Sequence, residues 1–121
     1  MKKILIVDDE EKVRKLVEVT LSVGGLKILH ACSGDEALKI AREAKPDVIL
    51  LDIMMPGGLD GLDVCRLLKE DPDTKGIYII MLTAKGQQAD KNEGLASGAD
   101  DYFVKPFSPM ELMDKIDKIV V

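Results

Sequence analysis

Four short segments of this 121-residue chain carry side chains that could do chemistry, and each of them directly follows an apolar run. The segments are Asp8-Asp9-Glu10, Asp52, Thr83-Ala84 and Lys105-Pro106. They contain neither His nor Cys, so they do not suit a soft metal ion, whereas Mg²⁺ prefers carboxylate oxygens. Carboxylates that lie close together repel each other unless a cation is bound between them. The residue types therefore indicate a site for a hard divalent cation.

The apolar runs are predicted strands that would position these segments. They cover Ile4–Val7, Leu26–Ala31, Val48–Leu51, Ile77–Leu82 and Tyr102–Val104. Between them, apolar residues recur at the three- and four-residue spacings of amphipathic helices. Strands that are apolar on both faces and alternate with such helices predict an α/β fold. Its parallel sheet is covered on both sides, as in a doubly wound sandwich.

Helix start and stop signals support this alternation. Ser33 and Asp60 are predicted N-caps, and Ser108 followed by Pro109 is typical of a helix start. A weaker helical pattern covers residues 88–97 and ends before Gly98. Five strands each followed by one helix are therefore expected, in a single domain that covers residues 1–121.

The carboxyl ends of parallel strands form one edge of the sheet, where sites usually lie. If the first and third strands are neighbours, Asp8, Asp9 and Asp52 share one pocket there. Asp52 could then act as a nucleophile and form an aspartyl phosphate, with a metal ion neutralising charge on the transferred group. Three donors could contact the phosphoryl oxygens: the ammonium of Lys105, the hydroxyl of Thr83 and the backbone N–H of Ala84.

Composition and charge exclude several other classes. The net charge of −5 argues against direct binding to nucleic acid or an anionic membrane. The longest apolar run, Ile77–Leu82, has six residues and is too short to cross a bilayer. The two cysteines, Cys32 and Cys65, lie far apart and are predicted to be reduced core residues of an intracellular protein. The lone His30 is predicted to be a packed or half-exposed strand residue.

Taken together, these motifs resemble the receiver domain of two-component response regulators. The segments that carry the resemblance run from Ile4 to Glu10, from Asp52 to Pro56 with Asp60-Gly61, from Leu82 to Lys85 and from Lys105 to Phe107. The resemblance covers the whole chain. It implies a flavodoxin-like, five-stranded parallel sheet in the order 2-1-3-4-5, flanked by five helices.

The resemblance also implies a Mg²⁺ cofactor and a role for each site residue. Asp52 would accept the phosphoryl group from a phosphohistidine of a sensor histidine kinase or phosphotransfer protein. Asp9 and Asp52 would bind Mg²⁺ directly, Asp8 would bind it mainly through water, and the backbone carbonyl of Met54 would complete the metal shell. Thr83, Ala84 and Lys105 would contact the phosphoryl group. The domain would act in the cytoplasm and catalyse only its own phosphorylation and slow dephosphorylation.

A conformational switch is implied as well. Thr83 would move toward the phosphoryl group and leave space for Tyr102 to turn inward, which shifts the population between two states. This movement would remodel the face formed by the fourth helix, fifth strand and fifth helix, where an output domain or effector would bind. A phosphorylation-dependent dimer is left open, and Lys105-Pro106 is expected to be a cis peptide.

Two other classes share parts of the pattern. A haloacid-dehalogenase-like phosphatase would need a second Asp two residues after its nucleophile, where this chain has Met54. A flavodoxin-like FMN protein would meet repulsion between the cofactor phosphate and the acidic residues after the first strand. The chain also departs from the receiver pattern, because three residues rather than the usual two separate Pro56 from Asp60.

Overall fold

A computed structural model of the chain describes residues 2–21, 25–53, 55, 58–84, 98–105 and 108–120, with only the backbone described at 83, 84, 105 and 120. Strands and helices alternate along these residues. They are β1 Lys3–Val7, α1 Glu11–Leu21, β2 Lys27–Ala31, α2 Gly34–Ala44, β3 Val48–Asp52, α3 Gly61–Glu70, β4 Tyr78–Ala84, β5 Asp101–Lys105 and α4 Pro109–Val120. The helix predicted over 88–97 lies outside the described residues, so the helix predicted as the fifth is α4.

The five strands form one parallel sheet in the order β2-β1-β3-β4-β5, which confirms the predicted fold class and strand order. In the register of this sheet, Val7 lies opposite Leu51 and Asp52 lies opposite Leu82. Ala84 at the end of β4 pairs with Lys105 at the end of β5. The segments that follow these strands therefore start at one edge of the sheet.

Two hydrophobic layers cover the sheet and explain why its strands are apolar at consecutive positions. Leu5 and Val7 of β1 face a layer that contains residues of α2 and α3, whereas Ile4 and Ile6 face a layer that contains residues of α1 and α4. All five residues of β3 are buried. Each fully buried aliphatic side chain stabilises the fold by about 1.5–3 kcal/mol. The site is therefore built on two strands, β1 and β3, whose residues are almost all buried.

Side-chain caps fix the starts of α2 and α3. The Ser33 hydroxyl accepts a hydrogen bond from Glu36 N at 3.2 Å, as the sequence predicts for an N-cap. Asp60 accepts one from Asp63 N at 2.9 Å, and the Asp63 carboxylate accepts one from Asp60 N at 3.2 Å. An N-cap side chain is worth about 1 kcal/mol of stability. The cap at Asp60 thereby holds the start of α3 close to the end of β3.

A single lysine connects α3 to the strands β4 and β5. The Lys69 ammonium donates to Ile77 O at 2.8 Å, to Lys75 O at 3.1 Å and to Asp100 Oδ2 at 2.8 Å. Asp100 Oδ2 also accepts from Ile79 N at 2.9 Å. The end of α3, the turn before β4 and the start of β5 are thus joined through one partly buried charge.

The predictions for His30 and Cys65 are confirmed, whereas the prediction for Cys32 is not. His30 is half-buried and contacts Glu18 at 3.1 Å, as expected for a packed strand residue. Both cysteines are free, and Cys65 is buried as predicted. The prediction that Cys32 is a core residue is wrong, because Cys32 follows the last residue of the edge strand β2 and is exposed. Among the described residues, no helix is long and apolar enough to span a membrane.

Candidate functional site

Three carboxylates meet at the carboxyl edge of the sheet, beyond β1 and β3. One carboxylate oxygen each from Asp8, Asp9 and Asp52 lies within 4.8 Å of the others. Asp8 is fully buried and Asp52 is only 7% exposed, whereas Asp9 is exposed. Even at the outer limit of 4.8 Å, two such charges repel by ~3.5 kcal/mol at an effective dielectric constant of about 20. We call this group the acidic cluster.

The loop between β1 and α1 fixes Asp8 through both its backbone and its side chain. Asp8 N donates to Ala31 O at 3.2 Å, which extends the pairing of β1 with β2 by one residue. Asp8 Oδ1 accepts from Glu10 N at 2.9 Å, and Asp8 O accepts from the Arg14 guanidinium at 2.5 Å. The buried aspartate is therefore held in place by its neighbours on β2 and α1.

Asp52 is the last residue of β3, and the start of α3 lies directly against it. Gly61 N donates to Ile53 O at 3.0 Å. A Cβ atom at Gly61 would lie 2.2 Å from Asp52 O and 2.8 Å from Ile53 Cα. The backbone of α3 can approach Asp52 this closely only because residue 61 has no side chain. In the sequence, Gly61 was visible only as part of a motif, and its contact with Asp52 was not predicted.

The loop that contains the additional residue rests on the start of α2. A Cβ atom at Gly34 would lie 2.5 Å from Leu59 O, so the loop backbone packs closely on the first residue of this helix. Leu59 also packs against the hydrophobic layer on that side of the sheet. The backbone at Leu59, just before the N-cap residue Asp60, is therefore held against the start of α2.

The other predicted site residues are described only in part. Thr83 and Ala84 end β4 and Lys105 ends β5, so their backbones reach the same edge of the sheet as Asp52. Their side chains, the whole of Met54 and the bond between Lys105 and Pro106 lie outside the described part of the chain. The phosphoryl-binding and metal-binding roles assigned to these residues stay predictions.

Tyr102, the predicted switch residue, lies on β5. Its side chain is partly buried and packs against the hydrophobic layer that includes residues of α2 and α3. Its backbone N–H donates to Asp101 Oδ1 at 2.8 Å. Its position is that of a half-buried strand aromatic, and its role in switching stays a prediction.

The acidic cluster fits a hard divalent cation. It offers oxygen ligands only, and two of its three carboxylates are buried, where their repulsion is least screened by water. Mg²⁺ is commonly bound by one or two carboxylates together with phosphoryl oxygens and water. The arrangement therefore suits Mg²⁺ better than it suits a metal that prefers nitrogen or sulfur ligands.

A cleft outside the acidic cluster lies elsewhere on the molecule. It has a volume of about 670 Å³ and is lined by residues of β4, β5 and α4, including Tyr78, Asp101, Phe103 and Lys115. Lys115 forms an ion pair with Asp101, and its ammonium lies 5.1 Å from the centre of the Phe103 ring. No residue of the acidic cluster lines this cleft, so it is separate from the candidate metal site.

The sequence profile of the family described as "Response regulator receiver domain" matches residues 4–117. The chain belongs to this family. It is therefore a receiver domain of the two-component type, a signalling domain rather than a metabolic enzyme, as the motifs around the acidic cluster predict. This match decides against the phosphatase and FMN-binding classes as alternatives for the chain.

Known proteins place the receiver domain among response regulators. It is 46% identical over 119 residues to the phosphate regulon transcriptional regulatory protein PhoB of Pseudomonas aeruginosa. The aligned region covers 98% of this chain and 52% of PhoB. The chemotaxis response regulator CheY4 of Vibrio cholerae is 35% identical, with a TM-score of 0.90 and 99% of both chains covered. The BeF3-activated receiver domain of DrrB is 30% identical, with a TM-score of 0.88 over 99% of this chain and 97% of that one. The chain spans about half the length of the curated relatives it matches.

Proposed function

We propose that this receiver domain accepts a phosphoryl group on Asp52 in a Mg²⁺-dependent reaction. The observation that carries the proposal is the acidic cluster, in which the almost buried Asp52 lies beside Asp8 and Asp9. The proposed donor is a phosphohistidine on a sensor histidine kinase or a phosphotransfer protein. A carboxylate oxygen of Asp52 forms the new O–P bond as the P–N bond to the histidine breaks. The electron pair of the broken bond stays on the imidazole, which takes up a proton.

The neighbouring residues would prepare Asp52 for this step. Asp9 would supply a further direct oxygen ligand for Mg²⁺, Asp8 would bind it mainly through water, and we propose that the carbonyl of Met54 completes the metal shell. When bound, the metal supplies positive charge that neutralises the carboxylates and the transferred group. Hydrogen bonds to Asp8 and the close packing of Gly61 hold the nucleophile and its neighbours in position before the donor arrives.

We further propose that Thr83, Ala84 and Lys105 bind the phosphoryl oxygens. Their positions at the ends of β4 and β5, on the same edge as Asp52, support this assignment. Thr83 and Tyr102 would then link the phosphoryl group to a shift between two conformations, with the phosphorylated state favouring one of them.

The output of this switch is proposed from the relatives. PhoB is named as a transcriptional regulatory protein and is about twice as long as this chain. We propose that residues 1–121 form one receiver domain in the cytoplasm, and that its face around β5 and α4 passes the signal to an output domain or an effector. Nucleic-acid contact would then belong to the output partner, since the receiver domain itself has a net charge of −5.

Phosphorylation can be tested by incubating the protein with acetyl phosphate and MgCl₂ and measuring its intact mass. We expect the mass of one phosphoryl group to be added, and EDTA to prevent the addition. Asp52→Ala should abolish the adduct, whereas the matched exposed-residue control Asp73→Ala should keep it. DrrB is described as BeF3-activated, so beryllofluoride is expected to bind here in competition with phosphorylation. An adduct of undiminished size in Asp52→Ala, or none in the wild type, would refute the proposal.

A further inference from the structure

Arg14 of α1 contacts the loop between β1 and α1, residues 8–10, which we call the acidic loop. It lies in the first turn of that helix, is partly buried, and its Nη1 donates to the main-chain oxygen of Asp8 at 2.5 Å. A hydrogen bond from a charged guanidinium to a carbonyl is stronger than one between neutral groups. A permanent cation is therefore attached to the backbone of the loop that supplies two of the three carboxylates.

This contact is not the usual one for an arginine on a helix that offers glutamates at helical spacing. Glu11 and Glu18 lie three residues before and four residues after Arg14, where helical ion pairs usually form. Glu11 instead contacts Lys15 at 3.3 Å, and Glu18 contacts His30 at 3.1 Å. Within the described residues, Arg14 forms no ion pair with a carboxylate. Its guanidinium is directed to the acidic loop.

The contact constrains both aspartates of the loop. Because the peptide group is planar, fixing the oxygen of Asp8 also fixes the orientation of the amide of Asp9 and limits the backbone torsions on either side. The carboxylate of Asp8 is fixed separately by its hydrogen bond from Glu10 N at 2.9 Å. Without Arg14, this peptide would lose one of the contacts that oppose its rotation by repulsion within the acidic cluster.

We propose that Arg14 is a positioning residue for metal binding: it orients the Asp8–Asp9 peptide so that both carboxylates converge on the cation. This inference rests on the proposed function, because it assumes that the acidic cluster binds Mg²⁺. Arg14 contacts neither the metal nor the phosphoryl group in this role. Its loss should therefore weaken Mg²⁺ binding while leaving the phosphorylation step nearly intact once Mg²⁺ is saturating.

The test is a titration of ¹⁵N-labelled protein with MgCl₂, followed through the amide chemical shifts. Arg14→Gln is expected to raise the dissociation constant for Mg²⁺ about tenfold, which corresponds to ~1.4 kcal/mol. Arg14→Lys should give an intermediate value, because it keeps the charge and one donor but not the planar geometry. Lys15→Gln removes a positive charge from the next residue of the same helix and should leave the constant within about twofold.

Phosphorylation by acetyl phosphate provides the second measurement. The Mg²⁺ concentration for half-maximal rate should rise in Arg14→Gln, and the rate at saturating Mg²⁺ should stay within about threefold of the wild type. A purely structural role predicts a lower urea midpoint with an unchanged Mg²⁺ constant, and that result would overturn the inference. If Arg14→Gln does not fold, a wild-type Mg²⁺ constant in Arg14→Lys would overturn it equally.

The two proposals fail in different ways. A wild-type protein that shows no Mg²⁺-dependent shifts would overturn the proposed function and this inference together. If the wild type binds Mg²⁺ and Arg14→Gln has the same dissociation constant for Mg²⁺, the inference alone would be overturned.

Discussion

Replacing Gly61 with alanine should damage the site more than the fold. The new Cβ would lie 2.2 Å from Asp52 O, and an ordinary contact begins near 3.4 Å, so the backbones of α3 and β3 must separate by about 1.2 Å. Overpacking of this kind costs about 1–3 kcal/mol, whereas the higher helix propensity of alanine returns at most ~1 kcal/mol. We therefore expect Gly61→Ala to lower the free energy of unfolding by roughly 1–2 kcal/mol.

The effect on phosphorylation should be larger, because the separation moves the backbone of the proposed phosphoacceptor. A misplacement of about 1 Å can reduce a reaction rate by about 100-fold. Urea unfolding gives the stability, and intact mass after incubation with acetyl phosphate and MgCl₂ gives the rate. Gly76→Ala is the control, because a Cβ there meets nothing within 4 Å. If Gly61→Ala is phosphorylated as fast as Gly76→Ala, close packing against Asp52 does not position it.

Three further predictions concern other parts of the molecule. Lys69→Met should lower the unfolding free energy by about 2 kcal/mol because it removes three hydrogen bonds around a partly buried charge, and the exposed Lys75→Met should change it little. Burial, and after it the nearby Asp101 and Asp100 carboxylates, raise the pKa of Tyr78 above its usual 10.0. The contribution of Tyr78 to stability should therefore be complete below pH 10 and be lost as the pH rises from there through the raised pKa, and Tyr78→Phe should reduce this loss in urea titrations. Protein that carries a radiolabelled phosphoryl group should lose it by hydrolysis over minutes or longer, because neither Met54 nor Lys85 is a carboxylate or amide that could position water.

Each of these predictions has a result that contradicts it. Equal urea midpoints for Lys69→Met and Lys75→Met would show that the network between α3 and β5 contributes little. An alkaline loss of stability that is the same in Tyr78→Phe as in the wild type would assign that loss to other groups. Radiolabel that disappears within seconds would show that water reaches the acyl phosphate without help from those two positions.

The fold class could be predicted because the apolar patterns in the sequence match the strands and the parallel sheet that the structure shows. The strands are apolar on both faces, as at Val48–Leu51, and this pattern is typical of a sheet covered on both sides. The observed strands are extended by one or two residues at several ends, for example to Lys3 and to Ala84, because backbone pairing continues past the apolar run. The cap at Asp60 was predicted, but its reciprocal partner Asp63 was not, since the usual signal is Glu or Gln.

The convergence of Asp8, Asp9 and Asp52 could be predicted, but the contacts that support it could not. Asp8 and Asp52 are 44 positions apart in the sequence, and the strand order alone brings them together. The contact from Arg14 depends on how far one long side chain reaches back from a helix, and the sequence gives no spacing rule for it. The approach of Gly61 to Asp52 depends on the angle at which α3 leaves the sheet. Such details are set by tertiary packing rather than by local sequence.

The acidic cluster also has a consequence for the evolution of this domain. Strand pairing brings like charges together only in the native state, so Asp9→Asn, at the exposed member of the cluster, should make the protein harder to denature in the absence of divalent ions. Selection for stability alone would therefore favour loss of the Asp9 carboxylate. Retention of this carboxylate would then require continuous selection for signalling. A copy of the domain released from that selection should gain stability and lose the ability to signal.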